Sequence, residues 1–242
     1  MSRIRYLCIP GLGQTGEIAW PQRKLPFDVV GIDPIEPVAG ESLVDYSRRL
    51  ARRMRSRGLF DDAGPTLIAG VSFGAAVAQE IAVVEPCAGV VLLSGMLDAQ
   101  EIAAPLRFAA RHAFRLPHAA DALVDLGAAW VLRRVANVTR SDAERCAAMV
   151  RRMPLAWLAQ QARMLAAWPG CRHDAPMLRI HGDADRVVPY RRARAVDVVI
   201  RGDRHMSSVA RPNEVNDAIL RFARKHVAAH DVNRRGAVHA RS

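Results

Sequence analysis

The chain has 242 residues, half of them hydrophobic, and a formal net charge of +11. A chain of that length buries about 70–75% of its unfolded surface, enough for one large core without disulfide or metal staples. No run reaches the ~20 apolar residues of a bilayer span, and Pro10, Gly11 and Gly13 cut the N-terminus short before a signal-type apolar stretch can form, so the expectation is a cytoplasmic protein.

Strand and helix patterns alternate along the chain, which predicts an α/β fold with a mostly parallel sheet covered on both faces. Ile4 to Ile9 reads as a first strand closed by Pro10-Gly11, and Phe27 to Ile32 as a second stopped by Asp33-Pro34. Ser42 with Asp45 three positions later is a capping-box pattern. It opens a helix whose Leu43, Tyr46, Leu50 and Met54 form an apolar stripe. The arginines 48, 49, 52, 53, 55 and 57 fall on this helix and read as a solvated face or as an attraction for an anionic partner. All basic residues except Lys24 and Lys225 are arginine, a bias of composition rather than a binding patch, and neither an aromatic RNA-binding motif nor zinc-finger spacing accompanies them. Cys8, Cys87, Cys146 and Cys171 form no C-x-x-C pair, which suits a reducing compartment and excludes an obvious zinc ribbon.

The third strand, Leu67 to Val71, leads into Gly70-Val71-Ser72-Phe73-Gly74 and then into the strong helix formers of residues 75–82. A serine at a sharp strand-to-helix turn projects its hydroxyl above the sheet, and the flanking glycines avoid collisions there. The alternative is an ordinary glycine-rich turn that cradles phosphate at a helix N-terminus. Gly89 to Leu93 follows as a fourth strand, with Ser94 at its end near the expected pocket floor.

Residues 96–170 break the alternation and read as four successive helices, at 102–114, 120–134, 142–153 and 155–167. One crossover needs only a dozen or more residues, so this stretch is expected to be a helical lid over the carboxyl ends of the strands, where parallel sheets bind their ligands. The core would then be residues 1–95 and 171–228. Trp157 and Trp168 serve either packing or the lining of an acyl pocket. The alternation resumes at Met177 to Ile180 and Ala195 to Ile200, followed by a closing helix capped by Asn213 with Val215, Ile219 and Phe222 inward. From about Ala228 the chain turns polar, which predicts a frayed tail over 229–242.

A serine hydroxyl becomes a useful nucleophile when a base removes its proton and a third group orients that base. The loop after the fifth strand, His181-Gly-Asp183-Ala-Asp185-Arg-Val-Val-Pro189, and the loop after the sixth, Arg201-Gly-Asp203-Arg204-His205, offer such partners. The chain order Ser72, Asp185, His205 is nucleophile, acid and base, with Asp183 an alternative acid and His181 either structural or catalytic. His181, Asp183, Asp185 and His205 are also the donors of a conceivable metal site, though the serine elbow accounts for them better. Two backbone N–H groups should face the developing oxyanion: Phe73, which opens the helix after Ser72, and Leu12 in Pro10-Gly11-Leu12-Gly13.

These motifs resemble those of the α/β-hydrolase fold family over nearly the whole chain outside the helical stretch. PGLG stands where the family usually has His-Gly-x-Gly, GVSFG is the elbow, HGDADRVVP matches the acid loop, and GDRHMSSVARPNEVNDAILRF the histidine loop and final helix. The resemblance implies a Ser72-Asp185-His205 triad, with the spacing Gly-x-x-Asp-x-x-Val-Pro selecting Asp185, a lid, and no cofactor. The departures are Pro10 for the usual histidine, the absence of the first two strands of the full fold, and the charged pair Asp203-Arg204 before His205. The expected activity is hydrolysis of a carboxylic ester or thioester. Alternatives are a thioesterase or acyltransferase acting on coenzyme A or acyl-carrier protein, and a non-catalytic ligand-binding receptor. The arginines 107, 111, 115, 133, 134, 151 and 152 of the helical stretch suggest an acidic acyl carrier as partner.

Overall fold

The computed structural model describes residues 4–61, 64–112 and 136–239, with 228–239 as backbone only. The six strands are β1 (Arg5–Ile9), β2 (Asp28–Gly31), β3 (Thr66–Val71), β4 (Gly89–Leu93), β5 (Met177–Gly182) and β6 (Val198–Ile200). They pair in the order β2-β1-β3-β4-β5-β6, every neighbour parallel. β1 sits inside the sheet because β2 pairs outward from it and β3 crosses to its other side. All carboxyl ends therefore open on one edge, where β5 carries His181 near its end and the loops carrying Ser72, Asp185 and His205 emerge.

Alternate residues of each strand feed two apolar layers, as a sheet buried on both faces requires. Leu7, Ile9, Ile68, Val90 and Leu92 pack under α1 (Leu43–Ser56) and α2 (Phe73–Val84). Tyr6, Cys8, Leu67, Ala69, Val91 and Leu93 pack on the opposite face. That face is covered by the 3-10 helix Gly16–Lys24 and by the short helix Ser207–Ala210, with the closing helix Pro212–His239 beside them. Ser42 caps α1 as its sequence predicts, its hydroxyl oxygen accepting from Asp45 N–H at 3.1 Å. Two arginines of its charged face are tied down: Arg49 meets Glu41 at 2.6 and 2.8 Å, and Arg55 meets the buried carboxylate of Glu85.

The helical stretch is docked on this core. In chain order its described helices are α3 (Ala104–His112), α4 (Arg140–Arg152) and α5 (Leu155–Ala167), after a 3-10 turn at Ala99–Glu101. The helix expected at 120–134 lies outside the described residues. Cys146 and Met149 of α4 join one apolar layer, while Met164 of α5 and Trp168 join the other. Trp168 is buried and donates its indole N–H to Glu80 at 2.7 Å, whereas Trp157 is half-buried. Arg111 donates to the Ala166 carbonyl, Arg107 to that of Ala99, and Arg152 pairs with Glu17 at 3.3 Å. Three arginines offered above to an acidic carrier thus have partners inside the molecule.

Differences from the sequence expectation have local causes. β6 is three residues long, not six, because Ala195 takes a positive φ of 50° and Asp197 turns its carboxylate to Arg179 N–H at 2.7 Å. The closing helix begins at Pro212, so Asn213 sits inside its first turn; proline is favoured there since that N–H needs no partner. The helix also runs on to His239, through most of the residues expected to fray, and no proline interrupts it. All four cysteines are free thiols and burial pushes them up, Cys8, Cys146 and Cys171 to about 12 and Cys87 to about 11. They stay protonated at neutral pH.

Under the insert lies an ionic cluster that the sequence does not announce. Arg179, on β5, has no solvent exposure and Glu101 is only 2% exposed. Arg179 donates to Glu101 at 2.5 and 3.3 Å and to the Gly95 carbonyl at 2.8 Å. Glu101 also accepts from the side chain and backbone N–H of Arg194 at 2.8 and 3.1 Å. Burial alone would raise the Glu101 carboxyl, but the hydrogen bonds from Arg179 and Arg194 pull it below its ordinary value.

Candidate active site

Ser72 joins β3 to α2 with φ 51° and ψ −112°, a conformation that L-residues rarely hold. Its N–H donates to Leu93 O at 3.0 Å, which pins the turn to the neighbouring strand. The two flanking glycines are steric necessities. A Cβ at Gly70 would stand 2.0 Å from Gly74 O, and one at Gly74 would stand 2.3 Å from Ile9 O and 2.5 Å from Pro10 O. Such distances also show how tightly the Pro10–Gly13 loop lies against the start of α2. A Cβ on Gly11 would be 3.2 Å from Val71 O, beside the elbow. Among the described residues the N–H groups of Leu12 and Phe73 have no acceptor. Leu12 is exposed and Phe73 is buried.

Three side chains from three loops converge here. Ser72 Oγ is 2.8 Å from His205 Nε2, and His205 Nδ1 is 2.7 Å from Asp185 Oδ2. Asp185 Oδ1 accepts from the N–H groups of Val187 and Val188 at 2.8 and 3.0 Å. Burial would raise the Asp185 carboxyl, but the charge of His205 and hydrogen bonds from His181 and His205 outweigh it and hold the group well below the carboxylate range. Because this folded value lies below the unfolded one, the carboxylate stabilises the fold above about pH 4 and loses that contribution as the pH falls further. The stability gap between wild type and Asp185→Asn, read by urea melts, should therefore shrink steadily below about pH 4. A gap that stays constant there would remove Asp185 as a source of acid sensitivity.

The other candidates part company. Asp183 is exposed and turned away, accepting from Gly202 N–H at 2.6 Å. Among the described residues no group of three or more His, Cys, Asp or Glu side chains is arranged to hold a metal ion. His181 is fully buried at the end of β5, its Nε2 2.8 Å from Val188 O and 3.2 Å from Asp185 Oδ2. Ser94, buried with a positive φ of 49°, donates its N–H to Ile180 O, and its hydroxyl has no partner among the described residues. Above the Pro10–Gly13 loop stand Leu158 and Val150, whose methyls would lie 3.1 and 3.2 Å from a Cβ on Gly13. Nothing in the local sequence marks those two side chains as neighbours of the loop. A separate, largely apolar cavity of about 530 Å3 between the start of α1 and α5, lined by Leu43, Val44, Met164 and Trp168, includes neither Ser72 nor His205.

The model of the Alpha/beta hydrolase family matches residues 6–218. The chain belongs to that family. Family membership supports a hydrolase, and the six-stranded parallel sheet with its flanking helices is the alpha/beta hydrolase fold. Among solved structures it resembles a thermophilic esterase from Thermogutta terrifontis at 20% identity and a TM-score of 0.73, with 93% of this chain and 90% of that chain covered. It also resembles a hydrolase from Pseudomonas aeruginosa PA01, at 17% identity and TM-score 0.71, covering 91% and 89%. An enol-lactonase from Burkholderia xenovorans LB400 shares 15% identity with a TM-score of 0.70, covering 92% of each chain. No curated protein sequence matches the chain. Among the described residues no helix is long and apolar enough to cross a membrane.

Proposed function

We propose that this alpha/beta hydrolase is a serine hydrolase that cleaves a carboxylic ester or thioester through an acyl-enzyme. The observation that carries the reading is the hydrogen-bonded series Ser72 Oγ, His205 Nε2, His205 Nδ1 and Asp185 Oδ2, at 2.8 and 2.7 Å. His205 takes the Ser72 proton as Oγ bonds to the substrate carbonyl carbon, and the N–H groups of Leu12 and Phe73 hold the resulting oxyanion. Collapse of the tetrahedral adduct expels the alcohol or thiol, which receives its proton from His205. Water then attacks the acyl-enzyme with His205 again as base, and Ser72 regains its proton. Asp185 keeps the imidazole in the tautomer and orientation both steps need.

The described helices α3, α4 and α5 serve as the lid in this reading. Val150 and Leu158 beside Gly13 set apolar side chains next to the oxyanion loop, which suits an apolar acyl group. The likeness to an esterase and to an enol-lactonase of the same fold favours an oxygen ester over a thioester. An acidic acyl carrier has less support, since Arg107, Arg111 and Arg152 are engaged internally.

The test is a series of p-nitrophenyl esters from acetyl to dodecanoyl beside the matched acyl-CoA thioesters. Burial of each added CH2 is worth about 0.8 kcal/mol, so kcat/KM should rise about fourfold per carbon until the pocket is full. Oxygen esters should exceed matched thioesters, and the thioester rate should be insensitive to salt. No turnover of any member, with Ser72 unlabelled by a fluorophosphonate, would favour a ligand-binding receptor instead.

A further inference from the structure

His181 is buried without exposure, it sits at the end of β5, and the reaction written above does not use it. Its Nε2 stands 2.8 Å from the Val188 carbonyl oxygen. A carbonyl can only accept, so Nε2 must carry a proton, and that same N–H has Asp185 Oδ2 3.2 Å away. The other ring nitrogen, Nδ1, is buried with no partner among the described residues. One edge of the ring is therefore aimed wholly at the acid loop.

The loop itself explains what that edge does. Asp185 Oδ1 accepts from Val187 N–H and Val188 N–H, so the carboxylate is only as fixed as those two peptides. His181 grips the carbonyl of Val188, whose N–H is one of the two donors. On its other oxygen, Asp185 divides its charge between His205 Nδ1 at 2.7 Å and His181 Nε2 at 3.2 Å.

We propose that His181 is a positioning residue for the acid: it pins the Val188 peptide and draws off part of the Asp185 charge that would otherwise act on His205. The proposal rests on the serine hydrolase reading, since it assigns His181 its effect through Asp185 and His205. The groups facing Asp185 are few. His181 comes from β5, while Asp183 and Arg186 of the acid's own loop are both exposed, Asp183 being engaged by Gly202 N–H. The loop after β6 brings His205, and its neighbours there are the buried Asp203 and the half-buried Arg204. Among the described residues, the ionisable side chains that reach Asp185 Oδ2 are those of His181 and His205.

The experiment reads the rate of Ser72 labelling by a fluorophosphonate across about pH 5 to 9, which requires no knowledge of the substrate; labelling rises as His205 loses its proton. In His181→Phe the ring stays and the N–H goes; in His181→Asn the amide is too short to replace it; in His181→Gln an amide N–H can return near the Nε2 position. With the competing donor gone, Asp185 stabilises the protonated imidazole more strongly. The labelling midpoint in His181→Phe and His181→Asn should thus move up by about half a pH unit or more, with a plateau rate lowered about fivefold or more, and His181→Gln should return within about twofold of wild type. A wild-type midpoint and plateau in either donor-free variant overturns the proposal. Wild type that fails to label at Ser72, as Ser72→Ala must, sinks the hydrolase reading instead, and the His205 titration followed by NMR in wild type and His181→Phe then decides the role of His181. Should neither donor-free variant fold, the 15N imidazole spectrum of wild type decides: a proton on His181 Nε2 supports the proposal, and one on Nδ1 alone overturns it.

Discussion

Replacing Ser72 with alanine should lower kcat/KM by about four to six orders of magnitude while the protein stays folded. In the proposed reaction the Ser72 hydroxyl carries the acyl chain, and removing a triad nucleophile leaves what oxyanion donors and binding alone provide. The assay is the hydrolysis of the best p-nitrophenyl ester found in the chain-length series, with circular dichroism to establish folding. A loss of less than tenfold would mean that Ser72 is not the nucleophile. Ser72→Gly separates chemistry from strain. Serine and alanine both hold a Cβ at φ 51°, a conformation that costs on the order of 1–3 kcal/mol, whereas glycine holds it freely. Even after the larger entropy that glycine gives the unfolded chain, Ser72→Gly should be about 1 kcal/mol more stable than Ser72→Ala. In a domain of this size that is about 2–4 °C in Tm. Both variants should be equally inactive, so equal melting points would mean that the elbow stores no strain.

The second large effect lies away from the serine. Glu101→Gln should destabilise the protein by about 3–5 kcal/mol, because it leaves the guanidinium of Arg179 buried with its countercharge removed. Arg179 cannot shed its proton, and its other acceptors are the carbonyls of Gly95 and Arg194. The paired change Glu101→Leu with Arg179→Met should recover most of the loss, since two apolar side chains of similar volume need no countercharge. Urea denaturation of the single and double variants measures both numbers. If the double variant is no better than Glu101→Gln, the ion pair is needed for something besides its own neutralisation. The cluster joins the Ala99–Glu101 turn at the start of the insert to β5 and to Arg194 before β6. Its loss should therefore loosen the strand that carries His181 and the loop that carries Asp185.

That cluster also marks where the sequence ceases to be legible. The strands can be read because each is a short apolar run bounded by glycine, proline or aspartate, and the order of their loops follows from the alternation with helices. Ser72, Asp185 and His205 come within hydrogen-bond reach because each follows a strand of one parallel sheet. Arg179 and Glu101 lie 78 positions apart, and a single arginine in a strand gives no sign of facing a buried carboxylate. Nothing at Ala195 signals a positive φ, so the pattern predicts a sixth strand twice as long as the observed one. His181 looked like a strand-end residue because its partner, the Val188 carbonyl, is backbone and has no signature. Val150 and Leu158 carry no local signal that ties them to the serine loop. Only the docking of α4 and α5 onto the Pro10–Gly13 loop gives them a place near the serine.

The parallel sheet order has a kinetic consequence. Every pairing joins segments distant along the chain, and such topologies fold slowly because loop closure precedes the reward of contact. The alcohol comes from the loop after β3, the carboxylate from the loop after β5 and the imidazole from the loop after β6, which lies at one edge of the sheet. Under the proposed mechanism, a nascent or refolding molecule lacking that last strand would hold a serine with no base. Catalytic competence should therefore emerge late and all at once, which makes the enzyme a reporter of its own final assembly step.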